Sequence, residues 1–164
     1  MNSRKKSVEY MFLSKEWIKK AVAAIEHAKA MDENVMSQAS EFSLSVAYTI
    51  EKLPERLKKL YNSEKVTVYI ELDQGKLTCF TIGTEPPRGK KPDFTVTSEY
   101  EVAKKNFQGE LNPISTFMKR LIKVEPKRKL YLNPRFSAKS LSTINTLLKV
   151  VREEVPTFFL ESAS

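Results

Sequence analysis

Hydrophobic positions change period several times along this chain, and each change marks an element. Trp17, Ile18, Ala21, Val22, Ile25 and Ala28 recur at helical spacing behind Ser14, a residue type that caps helices, so residues 15–33 are predicted to form an amphipathic helix. The polar stretch Asp32 to Ser40 ends it, with room for a short second helix. From Phe42 the period falls to two. Phe42, Leu44, Val46, Tyr48 and Ile50 share one face and Ser43, Ser45, Ala47 and Thr49 the other, which predicts a strand with one buried side. Leu53-Pro54 stops that strand, and Pro54 to Tyr61 reads as a short helix. Val66, Val68, Ile70 and Leu72 then alternate with Thr67, Tyr69 and Glu71, and Leu77 to Ile82 returns after Asp73-Gln74-Gly75-Lys76. That is a hairpin, with Gly75 supplying the positive φ that a short connection needs.

Gly83 to Pro92 holds three prolines and two glycines and is predicted to be a loop leading to a strand over Asp93 to Thr97. Tyr100, Ala103 and Phe107 return to helical spacing, closed by Gly109. Asn112 and Pro113 open another helix, whose apolar stripe is predicted to run through Ile114, Phe117, Met118 and Leu121. Ile122 and Val124 read as a strand ended by Pro126, and Leu130-Tyr131-Leu132 as a second short extended piece. A long helix through Leu141, Ile144, Leu148, Val151 and Val155 ends near Pro156 and leaves Phe158, Phe159 and Leu160 in a tail. Strands joined by tight turns pair antiparallel, and helices with a single apolar stripe must cover one sheet face. The fold class is therefore α+β, a two-layer arrangement. The whole chain, 1–164, is read as one domain, with residues 1–12 as a flexible lead-in.

Charge adds a direction to this picture. The formal net charge is +8, from 28 Lys and Arg against 20 Asp and Glu. Between Ala103 and Lys139 stand Lys104, Lys105, Lys119, Arg120, Lys123, Lys127, Arg128, Lys129, Arg135 and Lys139, with only Glu110 and Glu125 to offset them. That segment carries the entire excess, so an anionic partner should meet it first. No run of apolar residues is long enough for a bilayer span and the N-terminus lacks the form of a secretory signal, which together with one cysteine predicts a reducing, cytoplasmic setting.

Catalytic chemistry finds little support. Cys79 has no partner for a disulfide or zinc cluster and reads as a small buried hydrophobe in a strand. His27 is the only histidine, and Ser115 and Thr116 have no evident base beside them. The Gly83 to Gly89 loop lacks phosphate-cradling spacing. No enzyme, metal or cofactor is expected.

Three stretches resemble the sterol carrier protein type two domain family, the non-specific lipid-transfer proteins. Thr67 to Leu77 is similar to the family's strand, glycine turn and returning strand; Pro92-Asp93-Phe94-Thr95-Val96-Thr97 to its third strand; and Phe107 to Lys119 to its glycine, polar residues and capped aromatic helix. The resemblance spans residues 65–132. After Lys119 the family carries glycines where this chain has Arg120 and Pro126. It implies a five-stranded, mostly antiparallel sheet with helices packed on one face, and an apolar tunnel between the layers for fatty acid, acyl-CoA or sterol.

On that basis Phe107, Phe117, Met118, Leu121, Ile144 and Leu148 from the helices, with Phe80, Phe94 and Val96 from the sheet, are the candidate cavity wall. Periodicity alone favours ordinary core, which has the same spacing as a cavity lining, and only the resemblance raises the cavity reading. Lys119, Arg120, Lys123, Lys127 and Arg128 are candidates for a lipid headgroup, an anionic membrane surface or a CoA phosphate, with a solvated face as the plain alternative. Two rival functions stand beside the lipid carrier. One is an accessory scaffold that uses its apolar groove for a protein partner or a homodimer held by the Phe158 to Leu160 tail. The other is nucleic-acid binding through Lys127-Arg128-Lys129-Leu130-Tyr131, which no base-reading motif accompanies.

Overall fold

The computed structural model describes residues 8–31, 43–111 and 113–161. In chain order the elements are β1 (Tyr10–Met11), α1 (Lys15–Met31), β2 (Leu44–Glu51), α2 (Glu55–Tyr61), β3 (Val66–Asp73), β4 (Lys76–Gly83), β5 (Phe94–Glu99), α3 (Tyr100–Gln108), α4 (Pro113–Met118), β6 (Ile122–Glu125), α5 (Lys127–Leu132), α6 (Pro134–Glu154) and β7 (Thr157–Phe158). The predicted short helix over Asp32 to Ser40, and the cap at Asn112, lie outside the described residues.

Five strands form one sheet in the order β4-β3-β2-β5-β6, mostly antiparallel, with β2 and β5 the parallel pair. The β3–β4 hairpin turns on Gln74 and Gly75, both at positive φ (47° and 80°), the backbone a two-residue connection requires. Register follows the period-two pattern. Val46 faces Ile70 and Phe94, and Tyr48 faces Val68 and Val96, so the large side chains of three strands share the helix side. The reverse face carries Ser45, Thr49, Thr67, Tyr69, Glu71, Thr95 and Lys123, where Thr49 and Thr67 hydroxyls meet at 3.2 Å and Lys90 bridges Glu71 at 3.1 Å.

The helical layer is fixed at its ends by sequence-local devices. Ser14 Oγ accepts from Trp17 N at 3.1 Å and starts α1 as expected. Gly109, at φ 80°, closes α3. Asn133, unpredicted, caps α6: its Oδ1 accepts from Phe136 N at 3.1 Å, with Pro134 at the first helical position.

Three expectations are corrected. Leu130-Tyr131-Leu132 is not extended; it ends the short helix α5, since three apolar residues in a row fit one helical turn as readily as a strand. The stripe through Met118 and Leu121 does not form, because α4 stops at Met118 and Arg120 turns at φ 58°, leaving Met118 74% and Leu121 41% exposed. Residues 10–12 are not a flexible lead-in: β1 pairs in parallel with β7, and Met11 and Phe12 are buried.

Candidate functional site

The space between helices and sheet has two ends of different character. At one end the layers interlock. Phe12, Trp17 and Phe107 pack ring to ring at 5.1–5.4 Å, and Phe159 approaches Phe12 at 5.3 Å and Phe107 at 6.0 Å. Ile25, Leu57, Val66, Tyr100, Leu147 and Val151 complete this core, each fully enclosed or nearly so. The C-terminal tail closes it: Trp17 Nε1 donates to Thr157 Oγ1 at 3.0 Å, and Leu160 N donates to the Tyr100 hydroxyl at 3.3 Å. The apolar tail Phe158 to Leu160 packs, partly buried, against its own chain.

The other end is half open. Leu44, Phe94 and Val124 are buried there, but Val46, Val96, Phe117, Ile122, Phe136 and Ile144 around them are only partly so. Val46 lies on the central strand and Val96 on its neighbour, positions a closed two-layer core would bury. Phe80, Ile82, Tyr48 and Leu148, on the helix side of the first cluster, are likewise partly exposed. Ile144 on α6 belongs to both clusters and stands at their junction. Partly buried apolar side chains of α4, α6 and strands β2, β5 and β6 thus gather around Leu44, Phe94 and Val124, and this is the candidate cleft.

Polar groups beside the cleft are satisfied within the protein. The Tyr48 hydroxyl lies 2.7 Å from Ser98 Oγ, and Thr116 Oγ1 donates to Asn106 Oδ1 at 3.1 Å, tying β2, β5, α3 and α4 together. Burial raises the Tyr48 pKa, against smaller opposing effects of the Ser98 and Asn106 hydrogen bonds, so the group is a neutral phenol. Among the described residues, no buried side-chain nitrogen or oxygen lacks a hydrogen-bond partner. The cleft thus makes no unmet demand for a polar ligand group.

Of the nine apolar candidates, Val96, Phe117 and Ile144 come together around the cleft with buried Phe94, and Phe80 and Leu148 lie on the helix side of the first cluster. Phe107 is set apart, 3% exposed within the interlocked aromatic end. Met118 and Leu121 face solvent. Val46, Tyr48, Ile122 and Phe136 were not among the candidates. The first two were legible as the large face of β2, but only the parallel pairing with β5 makes that strand central. Two open concavities, of about 290 and 380 Å³, lie outside the half-open cluster, the smaller reaching it only at Leu44. The smaller sits beside Tyr69, Glu71, Lys90 and Asp93, the larger beside Glu51, Lys52, Lys58 and Glu64; no candidate residue borders either.

Lys119, Arg120, Lys123, Lys127 and Arg128 are all exposed along the segment that carries α4, edge strand β6 and α5. Lys123 pairs with Glu125 at 3.0 Å, and nearby Lys129 with Asp93 at 3.7 Å. His27 is exposed and Cys79 partly buried. Among the described residues, no group of three or more His, Cys, Asp or Glu is placed to hold a metal ion, and no helix is long and apolar enough to cross a membrane.

A mostly antiparallel five-stranded sheet covered on one face by helices defines a sterol-carrier-like fold. The family model described as the SCP-2 sterol transfer family matches residues 25–127, and the chain belongs to that family. No curated protein sequence matches the chain. Among solved structures, it is similar to a conserved hypothetical protein from Thermus thermophilus, described as possibly a sterol carrier protein, at 19% identity, TM-score 0.64, over 90% of this chain and 93% of that one. A crystal structure of sterol carrier protein 2 aligns at 18% identity, TM-score 0.63, over 88% and 99%. Sterol carrier protein 2 from Yarrowia lipolytica, in its apo form, aligns at 13% identity, TM-score 0.50, over 84% and 88%.

Proposed function

We propose that this protein is a lipid carrier that holds the acyl or ring body of a long-chain fatty acid, acyl-CoA or sterol-like lipid in the cleft around Ile144. The observation that carries this reading is the incomplete burial of Val46 and Val96 on central strands, opposite equally incomplete burial of Phe117 and Ile144 on the helices. Apolar surface left facing water between two layers is stabilised when an apolar ligand covers it, at roughly 25 cal/mol per Å². Family membership and the likeness to sterol carrier protein 2 folds support the same reading.

Energetics suit exchange rather than storage. Burying a chain of ~16 carbons is worth on the order of 12 kcal/mol gross, at about 0.8 kcal/mol per methylene, and a bilayer offers nearly as much. The difference between protein and membrane is small, so uptake and release can both proceed.

Native mass spectrometry after gentle purification is expected to show a lipid adduct, and a fluorescent long-chain fatty acid is expected to brighten on binding. Ile144→Trp, which fills the junction of the two clusters, should abolish that brightening while the protein stays folded. The carrier reading is lost if the purified protein is empty and neither fatty acid, acyl-CoA nor sterol probes respond.

A further inference from the structure

The surface beside the cleft carries a second pattern that lipid binding in the interior does not use. Met118, Leu121, Tyr131 and Leu132 are 74%, 41%, 71% and 72% exposed, four of the six large hydrophobic side chains found exposed among the described residues. All four fall within fifteen residues of chain, 118–132, on either side of edge strand β6. Strand β6 has four residues and so spans about 13 Å, which keeps the two groups close together along one sheet edge.

Cations alternate with these side chains. Lys119 and Arg120 lie between Met118 and Leu121, and Lys127 and Arg128 lead into Tyr131 and Leu132. All four cations are exposed, and none takes part in an ion pair among the described residues, whereas Lys123 and Lys129 are each paired. Solvated cations around exposed apolar tips match a bilayer surface with acidic headgroups, where phosphates meet the cations and the boundary below them takes the side chains. Nucleic acid matches less of the pattern, since Tyr131 is the only aromatic among the four tips and Met118, Leu121 and Leu132 would have nothing to stack on.

We propose that the segment 118–132 is a docking face for anionic membranes. Phe117 and Ile122, the chain neighbours of Met118 and Leu121, belong to the half-open cluster, so a docked protein would present the rim of its cleft to the bilayer. The proposal goes beyond lipid carriage and can fail separately from it.

The test is co-sedimentation of the full chain with vesicles of phosphatidylcholine alone and with about one third phosphatidylserine. Wild type is expected to bind the acidic vesicles and to leave them in high salt. A quadruple variant, K119Q/R120Q/K127Q/R128Q, should bind at least a hundredfold more weakly, since each cation near the surface contributes about fivefold. The variant Met118→Ser with Leu121→Ser and Leu132→Ser should also lose binding, while both variants still take up a fluorescent fatty acid from solution. Docking through this face is overturned if wild type ignores headgroup charge, or if both variants sediment with acidic vesicles as wild type does. It is equally overturned if wild type binds single-stranded RNA but no vesicle. Retained vesicle binding by the quadruple variant, with loss of palmitoyl-CoA but not palmitate, would assign the cations to a ligand's phosphates and overturn docking as well. Vesicle binding without uptake of any lipid probe would instead sink the carrier reading and leave the docking face standing.

Discussion

Phe107 and Ile144 stand on helices that pack against each other, and their surroundings make opposite predictions for substitution. Phe107 is enclosed by three aromatic rings, so Phe107→Ala leaves a cavity and should cost about 3–5 kcal/mol in denaturant unfolding. Ile144 is only partly buried, so Ile144→Trp should change stability by no more than about 1.5 kcal/mol while it blocks lipid uptake. Two tyrosines contribute to the alkaline limit. Burial, with a smaller contribution from Glu16, pushes Tyr61 up to about 12, and its hydroxyl donates to Leu13 O at 2.5 Å. Burial also pushes Tyr100 up to about 12, opposed by its hydrogen bond from Leu160 N and reinforced by Glu101. The folded state thus prefers both phenols neutral. Their contribution to stability is complete below pH 10, the unfolded value, and is lost as pH rises toward 12. Unfolding between pH 10 and 12, accompanied by phenolate absorbance, is the expected result; Tyr61→Phe should lessen the pH dependence in that window.

Elements that close on themselves were legible in the sequence, and those that depend on distant partners were not. The β3–β4 hairpin, α1 with its Ser14 cap and α3 with Gly109 are each written within a short local stretch. Gly109→Ala tests this level: the backbone sits at φ 80°, and a new Cβ would meet Arg152 Nη1 at 2.8 Å, displacing the guanidinium from Phe107 O. A loss of about 1–2 kcal/mol is expected, mostly from the left-handed backbone. The pairing of β1 with β7 joins Tyr10 to Thr157, and no local period can announce a two-residue strand whose partner lies at the other end of the chain. The same limit explains the cleft. Its apolar residues show the periodicity of core, and their incomplete burial depends on how α4 and α6 sit over β2 and β5, which spacing does not encode. Truncation before Pro156 should therefore cost more than its few residues suggest. It strips the Thr157 hydroxyl from the Trp17 indole, which is 2% exposed, and the emission of this only tryptophan should shift to the red.

At the scale of the molecule, the two ends of the interior predict an uneven distribution of stability. Strands β2 and β3 pair along their length between other strands, and Leu57, Val66, Tyr100 and Val151 beneath or beside them are fully enclosed. Helices α4 and α5 are six residues each, and β6 has one neighbour and four residues. Few buried apolar contacts and short hydrogen-bond ladders set low local opening energies, so amide exchange should be slowest in β2, β3 and the Trp17 side of α1, and fastest over 113–132. A ligand that fills the cleft bridges the weak end to the strong one through Ile144. Its free energy of binding then adds to the opening energy of the segments it touches, as well as raising the melting temperature of the whole. With saturating lipid, exchange over 113–125 and in the Ile144 turn of α6 is expected to slow by an order of magnitude or more, while β3 changes only as far as global stability does. Uniform slowing across the sheet would place the ligand elsewhere than the cleft, and slowing confined to the Tyr69–Lys90 side would place it on the polar face.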